Sequence, residues 1–162
     1  FSLLFHGSVI AVDGEAYLFT AKSGTGKSTH TKLWRKYFGN RAVMVNDDKP
    51  LLKVTGKGVL ACGTPWAGKD HLQNNIMVPL KAVCILERDT VNHIELIRKR
   101  DAWKMILQQS YRSDQPAVLS STIRLAEQIM DKTKLYRLGC NMSMQAVETS
   151  YNGMNTDIDY AD

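Results

Sequence analysis

Short apolar runs separated by turn residues characterise the first twenty positions of the chain. Ser8–Val12 and Glu15–Thr20 are rich in β-branched and aromatic residues, and Asp13-Gly14 lies between them. An Asp-Gly connection of two residues suits the positive φ angles of a tight hairpin. We therefore predict a β-hairpin over residues 8–20.

A helical pattern follows the hairpin. Over residues 28–38 the apolar side chains recur at helical spacing: Leu33, Trp34, Tyr37 and Phe38. Gly39-Asn40 comes next and is a typical stop signal. The pattern predicts an amphipathic helix whose aromatic residues belong to the core rather than to a platform for a nucleotide base.

The rest of the chain continues to mix strand and helix patterns. Strands are predicted at 42–45, 51–55, 58–62 and 135–138, with a further strand pair at 81–86 and 93–97. Helices are predicted at 102–111, 117–130 and from 141 towards 151, and residues 63–76 resemble a loop. The combination indicates an α/β fold with a mixed β-sheet and flanking helices.

Length and composition limit the number of domains that the chain can form. The chain has 162 residues, of which 44% are apolar, and this suits a single domain with a buried core. We expect one domain over 1–154 and, because residues 155–162 are polar and acidic, a disordered tail. The apolar opening over 1–12 is interrupted by His6, is followed by Asp13 and lacks a basic leader, so we expect neither a signal peptide nor a stretch long enough to span a membrane.

Charge and cysteine content limit the classes of ligand and the cellular compartment that the sequence predicts. The formal net charge is +5, with Lys and Arg spread along the chain, which favours an anionic ligand over nucleic acid or membrane. The three cysteines, Cys62, Cys84 and Cys140, are widely spaced and form no Cys-x-x-Cys motif. Neither a disulfide framework nor a zinc site is indicated, and a cytoplasmic location is expected. The sequence is compatible with a homo-oligomer but does not identify the oligomeric state.

The candidate chemistry begins at Ser23-Gly24-Thr25-Gly26-Lys27-Ser28, a P-loop. Glycines let backbone N–H groups turn towards phosphate oxygens, the lysine reaches the outer phosphates, and the hydroxyl can ligate Mg²⁺. The first glycine of the usual pattern is replaced by Ala21, but a strand before the loop and a helix after it restore the context. The predicted nucleotide-binding residues are Ala21, Lys22, Ser23, Gly24, Thr25, Gly26, Lys27, Ser28 and Thr29.

Two aspartates end the next predicted strand. Asp47-Asp48 follows the apolar run 42–45, where P-loop enzymes bring a carboxylate to the metal. One carboxylate can hold the metal while its neighbour accepts the proton of an attacking hydroxyl. The alternative is a plain polar turn, because Asn, Asp and Pro are common turn residues.

These motifs together carry a family resemblance. His6-Gly7, the hairpin, the P-loop and Asp47-Asp48 follow the order and spacing of the catalytic domain of HPr kinase/phosphorylase. The sequence of the loop, Ser-Gly-Thr-Gly-Lys, is also similar to that of ATP-dependent phosphoenolpyruvate carboxykinase, whose nucleotide core is related in fold. Nearly the whole chain resembles the small bacterial HPr-kinase-like proteins, including the runs Gly63-Thr64-Pro65-Trp66 and Cys140-Asn141-Met142-Ser143.

The resemblance implies a set of roles. Asp47 would be the base, His6 would lie beside it at the reacting site, and Lys27 would act on the transferred phosphate. Ser28 and Asp48 would hold Mg²⁺. The implied activity is an ATP- and Mg²⁺-dependent kinase acting on a serine-like hydroxyl of a protein, peptide or small molecule.

The sequence also departs from both families. The Glu-x-Arg-Gly-x-Gly signature of HPr kinases is absent, so the resemblance does not extend to HPr as the acceptor; carboxykinases are several times longer. Two alternatives therefore remain beside the kinase: a nucleotide-binding regulatory module and a carboxykinase-like lyase. His6 has a structural alternative, and Lys69, in the loop 63–70, is equally consistent with a phosphate contact and with a solvated lysine.

Overall fold

A computed structural model of the chain describes residues 2–22, 24–66 and 74–162. Strands and helices of the described residues form one mixed α/β arrangement. The strands are β1 (Ser2–Leu4), β2 (Ser8–Val12), β3 (Glu15–Thr20), β4 (Ala42–Asn46), β5 (Leu51–Thr55), β6 (Gly58–Cys62), β7 (Met77–Arg88), β8 (His93–Ile97) and β9 (Lys134–Cys140). The helices are α1 (Lys27–Phe38), α2 (Lys99–Gln109), α3 (Pro116–Lys132) and α4 (Met144–Met154), and a 3₁₀ turn at Gly39–Arg41 precedes β4.

All nine strands belong to one sheet. The order is β1-β5-β6-β7-β3-β2-β4, and β9 pairs with both β7 and β8. The long strand β7 pairs with β6 in antiparallel fashion at its start and with β9 in parallel further along. Because β3 is also parallel to β7, the carboxyl ends of β3, β7 and β9 lie at the same edge of the sheet, where open α/β sheets bind ligands.

The predicted hairpin is confirmed. Strands β2 and β3 pair in antiparallel register, with Val12 opposite Glu15. Asp13 and Gly14 both have positive φ angles, +51° and +84°. A tight turn of this kind matches the twist of the two strands, which places β3 beside β2 in the middle of the sheet.

The predicted pairing of residues 81–86 with 93–97 is wrong, although both segments are strands. In the structure β9 lies between them, parallel to β7 and antiparallel to β8. Helices α2 and α3 connect β8 to β9, and such a long connection allows a strand to enter the sheet out of chain order. Apolar periodicity identifies a strand but carries no information about its partner.

Helices cover both faces of the sheet. Alternate residues of β3 take part in two cores: Leu18 packs in the cluster that includes the α2 and α3 residues, and Phe19 packs in the cluster around α1 and α4. Trp34 and Phe38 of α1 are buried as predicted, whereas Tyr37 is 44% exposed because it lies off the buried stripe of the helix. Within the described residues, no helix combines the length and apolarity that crossing a membrane would require.

The terminal residues pair with β8. The N–H of Ala161 donates to the carbonyl of Leu96 at 2.8 Å, and the guanidinium of Arg98 lies 4.2 Å from the ring centre of Tyr160. The sequence predicted a disordered tail over 155–162 from its polarity. Backbone groups of an unpaired strand edge can hold such a segment without any apolar signal in its sequence.

A buried histidine links α1 to α4. His30 is only 3% exposed, and its Nε2 lies 3.0 Å from Trp34 Nε1 and 3.2 Å from Ser150 Oγ, which is itself 3.0 Å from Trp34 Nε1. Burial lowers the pKa of His30 to about 4. The single indole N–H of Trp34 can donate to His30 Nε2 or to Ser150 Oγ, so these contacts fit either tautomer of the neutral ring.

We predict a pH-dependent stability that His30 controls. The unfolded ring has a pKa near 6.5, so between pH 6.5 and about 4 the unfolded chain binds the proton and the folded chain does not. The stability from the neutral ring is complete above pH 6.5 and declines as the pH falls, by on the order of 3 kcal/mol. His30→Gln keeps an acceptor for Trp34 but does not titrate.

Urea unfolding of both proteins at pH 7 and pH 4.5 measures this contribution. The advantage of the wild type over His30→Gln should shrink at the lower pH. A difference in unfolding free energy that is the same at both pH values would contradict the assignment.

Candidate functional site

The loop between β3 and α1 has the backbone geometry of an anion cradle. Gly24 and Gly26 have φ angles of +81° and +94°, which residues with a Cβ rarely adopt. An added Cβ at Gly24 would meet no atom within 4 Å, so the glycine is needed here for its conformation and not for space. The N–H of Thr25 donates to the carbonyl of Lys22 at 3.2 Å, which closes the turn.

The first turn of α1 is free to receive an anion. Gly26 caps the helix without a side-chain hydrogen bond, and no acidic residue lies in the first turn. The first N–H groups of a helix have no partner within the helix, and the helix dipole favours negative charge at this end. The loop and α1 therefore fit a phosphate group.

The predicted nucleotide-binding residues differ in accessibility. Ala21 is fully buried at the end of β3 and can offer only its backbone. Four are exposed (Lys22, Gly24, Ser28 and Thr29), and three are intermediate (Thr25, Gly26 and Lys27). Ser23 lies outside the described residues.

The lysine of the loop lies near both aspartates. Burial lowers the pKa of Lys27, and the charges of Asp48 and Asp47 oppose that effect. Its ammonium group is therefore a half-buried positive charge beside two carboxylates at the head of α1. An ammonium in this position can attract the outer phosphates of a nucleotide.

Asp47 is buried and is held by two serines. The side chain is 7% exposed, and its Oδ1 accepts hydrogen bonds from Ser8 Oγ at 2.7 Å and Ser28 Oγ at 3.2 Å. Ser8 Oγ also lies 2.9 Å from Thr31 Oγ1 of α1. Sequence reasoning missed Ser8 and Thr31; the available signal was a serine at the head of an apolar strand, two positions after His6.

His6 contacts the other aspartate. Its Nε2 lies 3.5 Å from Asp48 Oδ1, and its Nδ1 lies 3.0 Å from Gln109 Oε1. The sequence predicted Asp47 as its neighbour, and the described contacts correct this to Asp48. Asp47 and Asp48 lie in a bend that follows β4, and their carboxylates face different partners. The side chains of His6 and Asp48 are 35% and 29% exposed, so this pair is open to solvent.

A glycine lets the segment after His6 approach β3 closely. A Cβ at Gly7 would lie 2.8 Å from Leu18 Cδ1 and 3.0 Å from the carbonyl oxygen of Phe19. The N–H of Gly7 donates to the carbonyl of Asp48 at 3.1 Å. Gly7 therefore fixes the backbone on which His6 and Asp48 meet.

Asn46 organises the turn that carries both aspartates. Its Oδ1 accepts hydrogen bonds from the N–H groups of Asp48 and Lys49, each at 2.8 Å. Its Nδ2 donates to Thr64 Oγ1 at 3.0 Å and to the carbonyl of Trp66 at 2.7 Å. The polar-turn interpretation and the functional one are thus compatible, because a side-chain turn positions the carboxylates. Residues 67–73 of the neighbouring loop, including Lys69, lie outside the described residues.

Two side chains at the site have oxygen atoms that can ligate Mg²⁺. Ser28 and Asp47 bring a hydroxyl and a carboxylate together at the head of α1. Among the described residues, no group of three His, Cys, Asp or Glu side chains is placed to hold a metal. Mg²⁺ in nucleotide sites commonly has one or two protein ligands and takes the rest from phosphate and water, so the donor set fits that ion.

A cavity opens beside the His6–Asp48 pair. Its volume is about 600 Å³, and residues 108–114 between α2 and α3 line it together with His6. Tyr111 and Arg112 are exposed at its wall. The volume falls in the range of ligand pockets, so a second reactant has room beside the pair.

Comparison with known proteins finds similarity among solved structures. No protein-family model matches the chain, and no curated protein matches it in sequence. Among solved structures, the chain is similar to the HPr(Ser) kinase/phosphatase from Coxiella burnetii at 12% identity and a TM-score of 0.47. The match covers 94% of this chain and 99% of that chain. Neither the identity nor the TM-score is high enough to transfer an activity.

We predict that Asn46 is essential to the stability of the site. Asn46→Ala leaves the buried partners of its amide without hydrogen bonds, and we expect a loss of about 2–4 kcal/mol in the free energy of unfolding. The exposed Asn40 provides a matched control, because Asn40→Ala should change stability by less than about 0.5 kcal/mol. Chemical denaturation measures both. Equal effects of the two substitutions would contradict the role given to Asn46.

Proposed function

We propose that this chain is an ATP- and Mg²⁺-dependent kinase that transfers the γ-phosphoryl group to a hydroxyl. The observation that carries the proposal is the meeting of Lys27 with Asp47 and Asp48 at the anion cradle of α1. Phosphoryl transfer needs a phosphate cradle, a positive charge and carboxylates at one place. The order of sequence motifs, which resembles that of HPr-kinase-like proteins, agrees with the proposal.

The cradle would hold the phosphates of ATP. Backbone N–H groups of Gly24 and of residues 26–28 would donate to them, and Lys27 would provide a point charge for the outer phosphates. When bound, Mg²⁺ would neutralise charge that develops on the phosphate oxygens. The contact between Ser28 and Asp47 supports these two residues as its ligands, in place of Ser28 and Asp48 as the resemblance implied.

Asp48 is the better placed general base. It is more exposed than Asp47, and its carboxylate faces His6 beside the large cavity. The hydroxyl proton of the acceptor passes to Asp48 as the hydroxyl oxygen forms a bond to the γ-phosphorus. The bond from that phosphorus to the bridging oxygen breaks, and its electron pair leaves with ADP. His6 is a positioning residue, held by Gln109 on its other nitrogen.

The acceptor is a hydroxyl-bearing protein, peptide or small molecule. The cavity lined by His6 and residues 108–114 lies next to the proposed base and is the natural place for it. Its wall is polar and includes Tyr111 and Arg112. A hydroxyl that enters here would reach Asp48 on the side that faces His6.

Transfer of label from [γ-³²P]ATP tests the function. Incubation with a panel of proteins, peptides and hydroxylated metabolites should label an acceptor in the presence of Mg²⁺, and Lys27→Ala should abolish the labelling. ATP binding by the wild type with no transfer to any acceptor would favour the regulatory module. Release of CO₂ from oxaloacetate in the presence of ATP would favour the carboxykinase-like lyase.

We predict that substitutions of the two aspartates have different effects on phosphoryl transfer. Asp47→Asn should raise the Mg²⁺ concentration needed for half-maximal transfer, because it removes a charged ligand. Asp48→Asn should leave nucleotide affinity intact and slow transfer by roughly 10²- to 10⁴-fold, the usual scale of general-base catalysis. Mg²⁺ titrations of transfer rate, with calorimetry of ATP binding, separate the two effects.

Asp157→Asn serves as the control, because Asp157 is exposed and is distant in sequence from both aspartates. It should behave as wild type. If Asp48→Asn instead shifts the Mg²⁺ requirement while Asp47→Asn slows transfer without such a shift, the roles are the reverse of those proposed and match the sequence-based assignment.

A further inference from the structure

The carboxyl ends of two further parallel strands lie beside the phosphate loop. β7 ends at Arg88 and β9 at Cys140, on the same edge of the sheet as the end of β3. The guanidinium of Arg88 donates a hydrogen bond to the carbonyl of Gly24 in the loop. A ligand that begins at the loop can therefore extend across these two strand ends.

A small cavity lies at this place. Its volume is about 30 Å³, and Thr25, His30, Leu33, Arg88, Asn141 and Met142 contribute to its lining. This volume has room for one group of the size of a water molecule. A planar ring system does not fit inside the cavity, but it can cover the mouth and direct one polar atom inward.

The cavity wall includes a buried histidine whose ring has an unpaired nitrogen. His30 is 3% exposed, and its Nδ1 has no hydrogen-bond partner among the described residues. Nδ1 is a donor in one tautomer of the neutral ring and an acceptor in the other. A buried polar atom without a partner is unfavourable, and a polar ligand atom that reaches it would relieve that cost.

The mouth of the cavity offers two surfaces for an aromatic ring. Arg88 is exposed and carries a planar guanidinium, and Met142 is 66% exposed and carries a thioether. Guanidinium groups stack on aromatic rings, and methionine sulfur makes favourable contacts with them. An exposed methionine and an arginine next to an unpaired buried ring nitrogen are a combination that a packed core does not require.

We propose that the mouth of this cavity binds the purine base of the nucleotide whose phosphates occupy the loop. The inference rests on the proposed function, because it assumes a phosphate chain bound at residues 24–28. Arg88 and Met142 contact the faces of the base. A polar atom of the purine, which carries ring-nitrogen acceptors and, in adenine, an amino donor, forms a hydrogen bond with His30 Nδ1 directly or through one water molecule.

Comparison of ATP with tripolyphosphate isolates the contribution of the adenosine group, because the two ligands share the phosphate chain. Comparison of ATP with CTP, which also shares the ribose, isolates the contribution of the base. Calorimetry with Mg²⁺ should show that Arg88→Ala and Met142→Ala each weaken ATP binding by roughly 3- to 30-fold, the scale of contacts to an aromatic ring. The affinity for tripolyphosphate should not change. Arg124→Ala and Met77→Ala are matched controls, because both residues are exposed and lie on α3 and at the start of β7, away from the loop.

The outcomes separate this inference from the proposed function. Equal losses for ATP and tripolyphosphate would show that Arg88 only supports the loop through Gly24, and would overturn the base site. Binding of CTP as tight as that of ATP would overturn the assignment to a purine. Failure of wild-type protein to bind either ATP or tripolyphosphate would instead overturn the phosphate site itself.

Discussion

The buried carboxylate of Asp47 joins three separate parts of the chain. It follows β4, and it accepts hydrogen bonds from Ser8 at the start of β2 and from Ser28 in the first turn of α1. A buried carboxylate is stable only when it is paired or hydrogen-bonded. This requirement fixes the head of α1 against the ends of β2 and β4, and Lys27 adds a positive charge at the same point.

The remaining geometry of the site follows from that anchor. With Asp47 directed inward, Asp48 faces outward to His6, and Asn46 holds the turn between them by accepting from two backbone N–H groups. Gly7 allows the segment that carries His6 to lie against β3. A buried oxygen cluster and a more exposed acid–histidine pair thereby lie near Lys27 at the head of α1, and the proposed phosphoryl transfer would use both.

Features determined by neighbouring residues could be predicted from the sequence. The hairpin depended on Asp13-Gly14, and the cradle depended on glycines between a strand and a helix; both signals lie within a few residues. Features determined by distant residues could not. The pairing of β8 with β9, the contact of His6 with Asp48 and the placement of residues 155–162 beside β8 arise from tertiary packing. Periodicity in the sequence does not encode such partners.

The central claim is that the backbone from Gly24 to Ser28 binds phosphate. Amide chemical shifts in ¹⁵N-labelled protein report on each N–H group, so addition of Mg²⁺ and ATP provides a direct measurement. The account predicts that the largest shift changes occur at Gly24, Thr25, Gly26, Lys27 and Ser28. Saturable changes confined to another surface, with these five amides unaffected, would contradict it.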